Sequence, residues 1–330
     1  MLLLSKLLVK IGIALGIAIG LTVIVLIAAL VCGGPAAPKA MDSINLSFQK
    51  VDFSELPVLE HYAARDGVAL AYRFYQSSLH ASTQSVVLIH GSSASSASMH
   101  PLAQSLARAG FNVYALDIRG HGDSGTKGTI GYIGQLEDDL EDFVTKVNPA
   151  LPRTLVGFSS GGGFVLRFAG SERQNIFDRY LLLSPFIHQD AETYKAAGGG
   201  WVNVGIPRVV ALSVLNQAGI RCFNNLDVNA FAINDAAKNV LTPAYSFALA
   251  TNFRPLNNYQ ANILAAKQPM SLIVGQDDEL FYADQFGPVF EKAGRPIKIT
   301  FVPGVGHIGL TLDDAAIHTI TKELVNDSKF

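Results

Sequence analysis

The first feature of the hydrophobic pattern is a stretch with no charge in it. From Ile11 to Cys32 the chain reads IGIALGIAIGLTVIVLIAALVC, with Lys6 and Lys10 just before it. As a helix it would reach roughly 30 Å, the thickness of a bilayer core. It is longer than the core of a signal peptide, about 7–15 residues, and no clean A-x-A site follows. Residues 1–32 are therefore expected to stay as a single-pass transmembrane anchor. A cleaved signal peptide and a lipoprotein signal ending at Cys32 are the competing readings. Positive charge on the N-terminal side places that end in the cytoplasm and the rest of the chain outside it, periplasmic in a bacterium.

Residues 33–59 are rich in Gly, Pro, Ala and polar residues and read as a linker. From Glu60 onward the periodicity alternates. EHYAAR and VALAYRFYQ flank Asp66-Gly67, a hairpin signal. QSVVLIH is continuously apolar, as suits a strand buried on both faces. PLAQSLARAG has helical spacing, FNVYALDI is a strand, YIGQLEDDLEDFVTKV an amphipathic helix, RTLVGF a strand and GGGFVLRFAG a helix. RYLLLSP, MSLIVG and IKITFVPG are three more strands, and ELFYADQFGPVFEKAG and LDDAAIHTITKELVND two more helices. The pattern is that of a parallel α/β sheet with an antiparallel start.

One region breaks this rhythm. Residues 186–268 separate two strands that an ordinary connection would join in far fewer. They contain the apolar helical segments PRVVALSVLNQ and PAYSFALATNF and read as a cap over a site. The core is thereby split into 60–185 and 269–330.

Composition narrows the function. The net charge is −2, which gives no basic excess for nucleic acid. The two cysteines, Cys32 and Cys222, provide neither a disulfide framework nor a zinc pattern. No metal and no organic cofactor is expected.

Chemistry is concentrated in TLVGFSSGGGFVLRF, residues 154–168. Here G-x-S-x-G (Gly157, Ser159, Gly161) joins a strand to a helix, the context of a nucleophile elbow. The turn is so tight that Gly157 and Gly161 face each other without room for a Cβ, and it lifts the Ser159 hydroxyl clear of the sheet. A serine needs a base. Downstream lie His188 in the cap, His318 within a helix and His307 in the turn VGHIGL at the C-terminal edge of the sheet, where α/β sites gather. His307 is the expected base. MSLIVGQDDEL offers Asp277, Asp278 and Glu279 as the acid. On this fold the acid commonly sits three residues past the strand-closing Gly, here Gly275, which selects Asp278 and leaves the other two as a solvated loop. The oxyanion hole is assigned to the backbone N–H groups of Ser160, after the nucleophile, and Ser92, in HGSS after the strand. His90 is read as holding that loop.

Together HGSS, LDIRGHGDSG (116–125), GFSSGG, GQDD and GVGH resemble the α/β-hydrolase family, closest to its monoacylglycerol lipase, lysophospholipase and serine aminopeptidase-like group. The resemblance runs from about residue 60 to the end. It implies a mostly parallel, eight-stranded-type sheet flanked by helices with a helical cap, and acyl transfer to water. It also implies a structural role for Arg119–Gly122. Two departures stand out: Ser93 where a second glycine is common, and Ser160 where a larger residue is usual. The cap carries six basic residues against four acidic ones. An aminopeptidase would want acidic groups there to hold a free amino terminus. An apolar cap beside a membrane anchor suits lipid-type acyl esters, monoacylglycerols or lysophospholipids. A serine aminopeptidase-like peptidase and a non-catalytic binding protein on the same fold are the alternatives.

Overall fold

The structure is a computed structural model that describes residues 2–41, 51–79 and 84–327. Positions 42–50 of the expected linker lie outside the described residues. Strands β1 (Leu59–Ala63) and β2 (Ala69–Tyr75) pair antiparallel around Asp66-Gly67, with Gly67 at φ +82°. The positive φ explains the glycine. The remaining core strands are β3 (Ser85–Ile89), β4 (Asn112–Leu116), β5 (Arg153–Phe158), β6 (Arg179–Leu183), β10 (Met270–Gly275) and β11 (Lys298–Val302). They form one eight-stranded sheet in the order β1-β2-β4-β3-β5-β6-β10-β11, parallel from β4 onward. The apolar run of β3 lies in the middle, with Val86, Val87, Leu88 and Ile89 fully buried. The chain leaves β3 toward one side and β5 toward the other. That opens a crevice at their C-terminal ends, where ligands of such sheets collect.

Helices α1 (Leu2–Cys32), α2 (His100–Arg108), α3 (Gln135–Val147) and α4 (Ser160–Ala169) precede the insertion. The insertion begins beyond β6. It carries α5 (Ile206–Gln217), α6 (Phe247–Asn252) and α7 (Tyr259–Ala265), and with them an antiparallel sheet of β7 (Val202–Val204), β8 (Asp227–Phe231) and β9 (Ala244–Ser246). The small sheet is an addition to the expected cap helices. PAYSFALATNF divides: Ala244–Ser246 pairs with β8, and the Ser246 hydroxyl then accepts the Leu249 N–H to start α6. Local apolar spacing cannot anticipate such a cross-strand partner.

A second difference concerns ELFYADQFGPVFEKAG. Only α8 (Phe286–Lys292) is α-helical there. The N–H groups of Leu280 and Phe281 are committed to the Asp278 carboxylate, and that of Tyr282 to the Thr193 carbonyl. The chain then ends in α9 (Gly309–Leu312) and α10 (Asp314–Asp327).

The apolar N-terminal segment forms α1, which is long and apolar enough to cross a membrane; a signal sequence has the same character. Its side chains are exposed along most of its length, and only its last turns meet the cap. Arg208 of α5 donates to the carbonyls of Leu30 (2.8 Å) and Val31 (3.1 Å). These are among the carbonyls that a helix end leaves without an intrahelical partner.

Candidate active site

Between β5 and α4 the chain makes the expected elbow. Ser159 has φ +55° and ψ −120°, a conformation that costs of order 1–3 kcal/mol and persists only when its surroundings enforce it. They do so here. The Ser159 N–H donates to the Leu183 carbonyl (2.9 Å), and its own carbonyl accepts from Gly163 (3.0 Å) and Phe186 (2.9 Å). A Cβ on Gly157 would lie 2.3 Å from the Gly161 carbonyl oxygen, and one on Gly161 2.3 Å from that of His90. The two glycines are therefore steric requirements of the turn.

His307 follows β11 and reaches back across the sheet edge. Its Nε2 lies 3.0 Å from Ser159 Oγ, and its Nδ1 lies 2.7 Å from Asp278 Oδ2. The other Asp278 oxygen accepts the N–H groups of Leu280 (2.9 Å) and Phe281 (3.0 Å). Burial raises the Asp278 carboxyl, but the His307 charge and hydrogen bond, with the Leu280 N–H, outweigh it and leave it below its ordinary value. Hydrogen bonding to the carboxylate thus points Nδ1–H at Asp278 and leaves Nε2 as the acceptor facing Ser159. All three residues are buried, and Phe158 and Phe281 pack against the imidazole.

Of the two remaining acids, Asp277 is exposed, as a solvated loop residue should be. Glu279 is not a bystander. Its Oε2 accepts the backbone N–H of His307 at 2.8 Å. Nothing in the sequence distinguishes it from Asp277, because the contact depends on how the turn after β11 folds back.

Ser92 and Ser160 both line the space in front of Ser159. Among the described residues, the Ser92 N–H has no acceptor. Ser160 opens α4, where an N–H has no intrahelical partner. Ser93, in place of the common glycine, sits at φ +68°. It is held there by its N–H to the Tyr245 hydroxyl (2.6 Å) and its own hydroxyl to the Thr242 carbonyl (2.7 Å). Tyr245 also bonds His121 Nε2, whose ring bonds the Ile118 carbonyl through Nδ1. Burial pushes His121 far below its ordinary pKa, so its ring is neutral. His90 holds the same loop as expected: Nδ1 bonds the Gly91 carbonyl, and Nε2 accepts the Ile118 N–H. The Arg119–Gly122 stretch is structural, with Arg119 paired to Asp139 at 2.7 Å.

Two cavities meet at Ser159, one of about 830 Å³ under the cap and one of about 250 Å³ beside His307. Trp201 and Leu280 border both, and the Trp201 indole N–H donates to the Ser92 hydroxyl at 2.8 Å. His188 lines the larger cavity, and His318 is exposed on α10. Among the described residues no cluster of His, Cys, Asp or Glu could hold a metal ion.

The strand order, the elbow and the cap define an α/β hydrolase. Residues 80–311 match the family model described as "Serine aminopeptidase, S33", and the chain belongs to that family. It is similar to the monoacylglycerol lipase of Mycolicibacterium smegmatis, 38% identical over 109 residues that make up 31% of this chain and 38% of that protein. To the monoglyceride lipase of Rattus norvegicus it is 28% identical over 171 residues, 49% of this chain and 54% of that one. The matched segments thus span about half or less of these relatives. In fold it resembles a soluble variant of monoglyceride lipase from Saccharomyces cerevisiae, with TM-score 0.57, 18% identity, 82% of this chain and 94% of that one. A membrane phospholipase A described as a bacterial virulence factor superposes with TM-score 0.55 and 14% identity over 98% of this chain and 99% of that one.

Proposed function

We propose that this protein is a serine hydrolase that cleaves carboxylic esters, lipid-type acyl esters such as monoacylglycerols or lysophospholipids. The continuous path from Ser159 Oγ through His307 to Asp278, at 3.0 Å and 2.7 Å, carries this reading. Ser159 Oγ attacks the ester carbonyl carbon while His307 Nε2 takes its proton. The oxyanion is held by the N–H groups of Ser92 and Ser160. Collapse of the tetrahedral intermediate breaks the bond to the alcohol, which leaves with the proton from His307, and an acyl-Ser159 remains. Water, deprotonated by the same nitrogen, then releases the carboxylic acid and restores the hydroxyl. Asp278 keeps the imidazole in its working tautomer and stabilises its charged form. No step calls on a metal or an organic cofactor.

Lipid esters are favoured over a free amino terminus by the cavity itself. Phe186, Val209, Phe231 and Phe247 line its apolar part, and its acid, Asp190, has an exposed side chain. The sequence relatives named as monoacylglycerol lipases support the same substrate class. Helix α1 is the membrane anchor, retained with its N-terminus in the cytoplasm. The Arg208 bonds to Leu30 and Val31 support retention, since cleavage would strip that side chain of both acceptors. The units are then the anchor 1–32, linker 33–59, core 60–185 and 269–330, and cap 186–268. Labelling by a fluorophosphonate and turnover of a p-nitrophenyl ester, in wild type and Ser159→Ala, test the central assignment. Persistent labelling of the variant would overturn it.

A further inference from the structure

The large cavity is not uniformly apolar. Its lining also carries His188, Arg254 and Asn257. The guanidinium of Arg254 has no carboxylate partner among the described residues. Nη2 donates to Asn257 Oδ1 at 2.8 Å, and the buried Nη1 has no hydrogen-bond partner. Its neighbour in charge, Arg167, is by contrast paired with Glu137 at 2.5 Å. Burial, with the charge of Arg167, pushes the Arg254 guanidinium down to about 10. His188 presents a second donor. Its Nδ1 accepts the Asp190 N–H at 3.2 Å, which places the ring hydrogen on Nε2, and that buried Nε2 has only the Asn257 side chain as a partner, without a close hydrogen bond. The Asp190 carboxylate lies on the Nδ1 side of the ring, 3.5 Å away and exposed.

Leaving buried donors unsatisfied is costly, and so is burying a guanidinium whose counter-charge, the Asp190 carboxylate, is exposed to solvent and makes no ion pair with it. Two such donors on one wall of a cavity that contains the attacking serine describe a place for an acceptor that arrives with the substrate. We propose that Arg254 and His188 form a subsite for an anionic headgroup, of the phosphodiester kind, on an acyl ester whose chain lies along the apolar wall. This rests on the reading of Ser159 as nucleophile and selects within it: the substrate is an anionic lysophospholipid rather than a neutral glyceride. A guanidinium engages two oxygens of a phosphate at once, and the imidazole N–H takes a third contact.

The test compares two esters with the same lauroyl chain, lysophosphatidylglycerol and monolauroylglycerol, on the full-length protein in detergent. Wild type should turn over the anionic ester with a kcat/KM about 10-fold or more above the neutral one. Arg254→Gln should lower that ratio about 10–100-fold, the worth of a hydrogen bond to a charged group. Arg254→Lys, with charge but no fork, should fall between. Fluorophosphonate labelling reports which variants are folded, and the wild-type ratio needs no variant at all. Equal ratios in wild type and Arg254→Gln, or a wild-type preference for the neutral ester, overturn the subsite. Inorganic phosphate is the competing arm. If it inhibits wild type competitively while the two lipids are turned over alike, the wall binds a free anion and the headgroup assignment is wrong. Failure to hydrolyse either lipid or a p-nitrophenyl ester would instead count against the hydrolase reading.

Discussion

Glu279 accepts the backbone N–H of His307 at 2.8 Å, one residue after Asp278 accepts the ring of the same histidine at 2.7 Å. Two consecutive acids thus hold the imidazole, one by its main chain and one by its Nδ1. Asp278→Asn should lower kcat for a p-nitrophenyl ester by roughly 10⁴, because the amide favours the wrong tautomer. Glu279→Gln should cost far less, about 10-fold in kcat with KM little changed, because the turn shifts while the tautomer is kept. Asp277→Asn, at an exposed position, should stay within about twofold. Steady-state kinetics of the three variants check the ranking, and a larger loss in Asp277→Asn than in Asp278→Asn would move the acid by one position.

The two adjacent serines should behave differently. Ser159 stands at the strained φ +55° position with Oγ at His307, whereas Ser160 begins α4 and offers its backbone N–H. Ser159→Ala should abolish fluorophosphonate labelling and lower kcat by roughly 10⁴ or more. Ser160→Ala keeps the N–H and should retain most of the rate. Equal loss in both variants would contradict the division of roles.

Tyr245 illustrates what the sequence could not disclose. The positions of Ser159, Asp278 and His307 were legible because each lies at the end of a strand whose apolar run announces it: RTLVGF before Ser159, MSLIVG before Asp278, IKITFVPG before His307. Ser93 could be recognised as a departure, but not what supports it. Its N–H meets the Tyr245 hydroxyl 152 residues away, and that hydroxyl also bonds His121. Nor did local spacing reveal that Leu280 and Phe281 would give their N–H groups to Asp278 instead of beginning a helix. Helical periodicity describes side chains, while these outcomes are decided by backbone donors finding distant acceptors. The same limit hid β7, β8 and β9 in the cap.

Tyr245→Phe should follow from that geometry. Removing the hydroxyl leaves the Ser93 N–H and the His121 Nε2 buried without a partner, at a cost of about 1–3 kcal/mol each, less if a water enters. The loop carrying Ser92 should loosen with them. We expect a lower Tm and a reduced kcat for p-nitrophenyl esters, with fluorophosphonate labelling slowed but not lost. An unchanged Tm would show that Tyr245 does not support the loop.

The N-terminal helix gives the last prediction. The two lysines before its apolar run, the lack of a good cleavage site and the Arg208 bonds to Leu30 and Val31 all motivate the proposal that α1 stays attached to the mature protein. N-terminal sequencing of protein extracted from membranes should then find residues 1–32 present, and a mature start after Ala40 would identify a signal peptide instead. Protease added to intact spheroplasts should digest the catalytic domain, whereas protection until lysis would reverse the topology. Deleting residues 1–40 removes nothing from the Ser159–His307–Asp278 path, so the truncated protein should be soluble and should turn over a p-nitrophenyl ester. It should not be identical to the full chain. Arg208 loses its acceptors at Leu30 and Val31, and Leu212, Val228 and Phe247 lose the Leu30 side chain packed against them. At about 1 kcal/mol for each net hydrogen bond, with some apolar burial besides, the cap should be less stable by a few kcal/mol. Arg208→Ala in the full-length protein should reproduce part of that loss. Limited proteolysis within 186–268 measures it, and equal cleavage rates in full-length, truncated and Arg208→Ala proteins would mean that the anchor does not brace the cap.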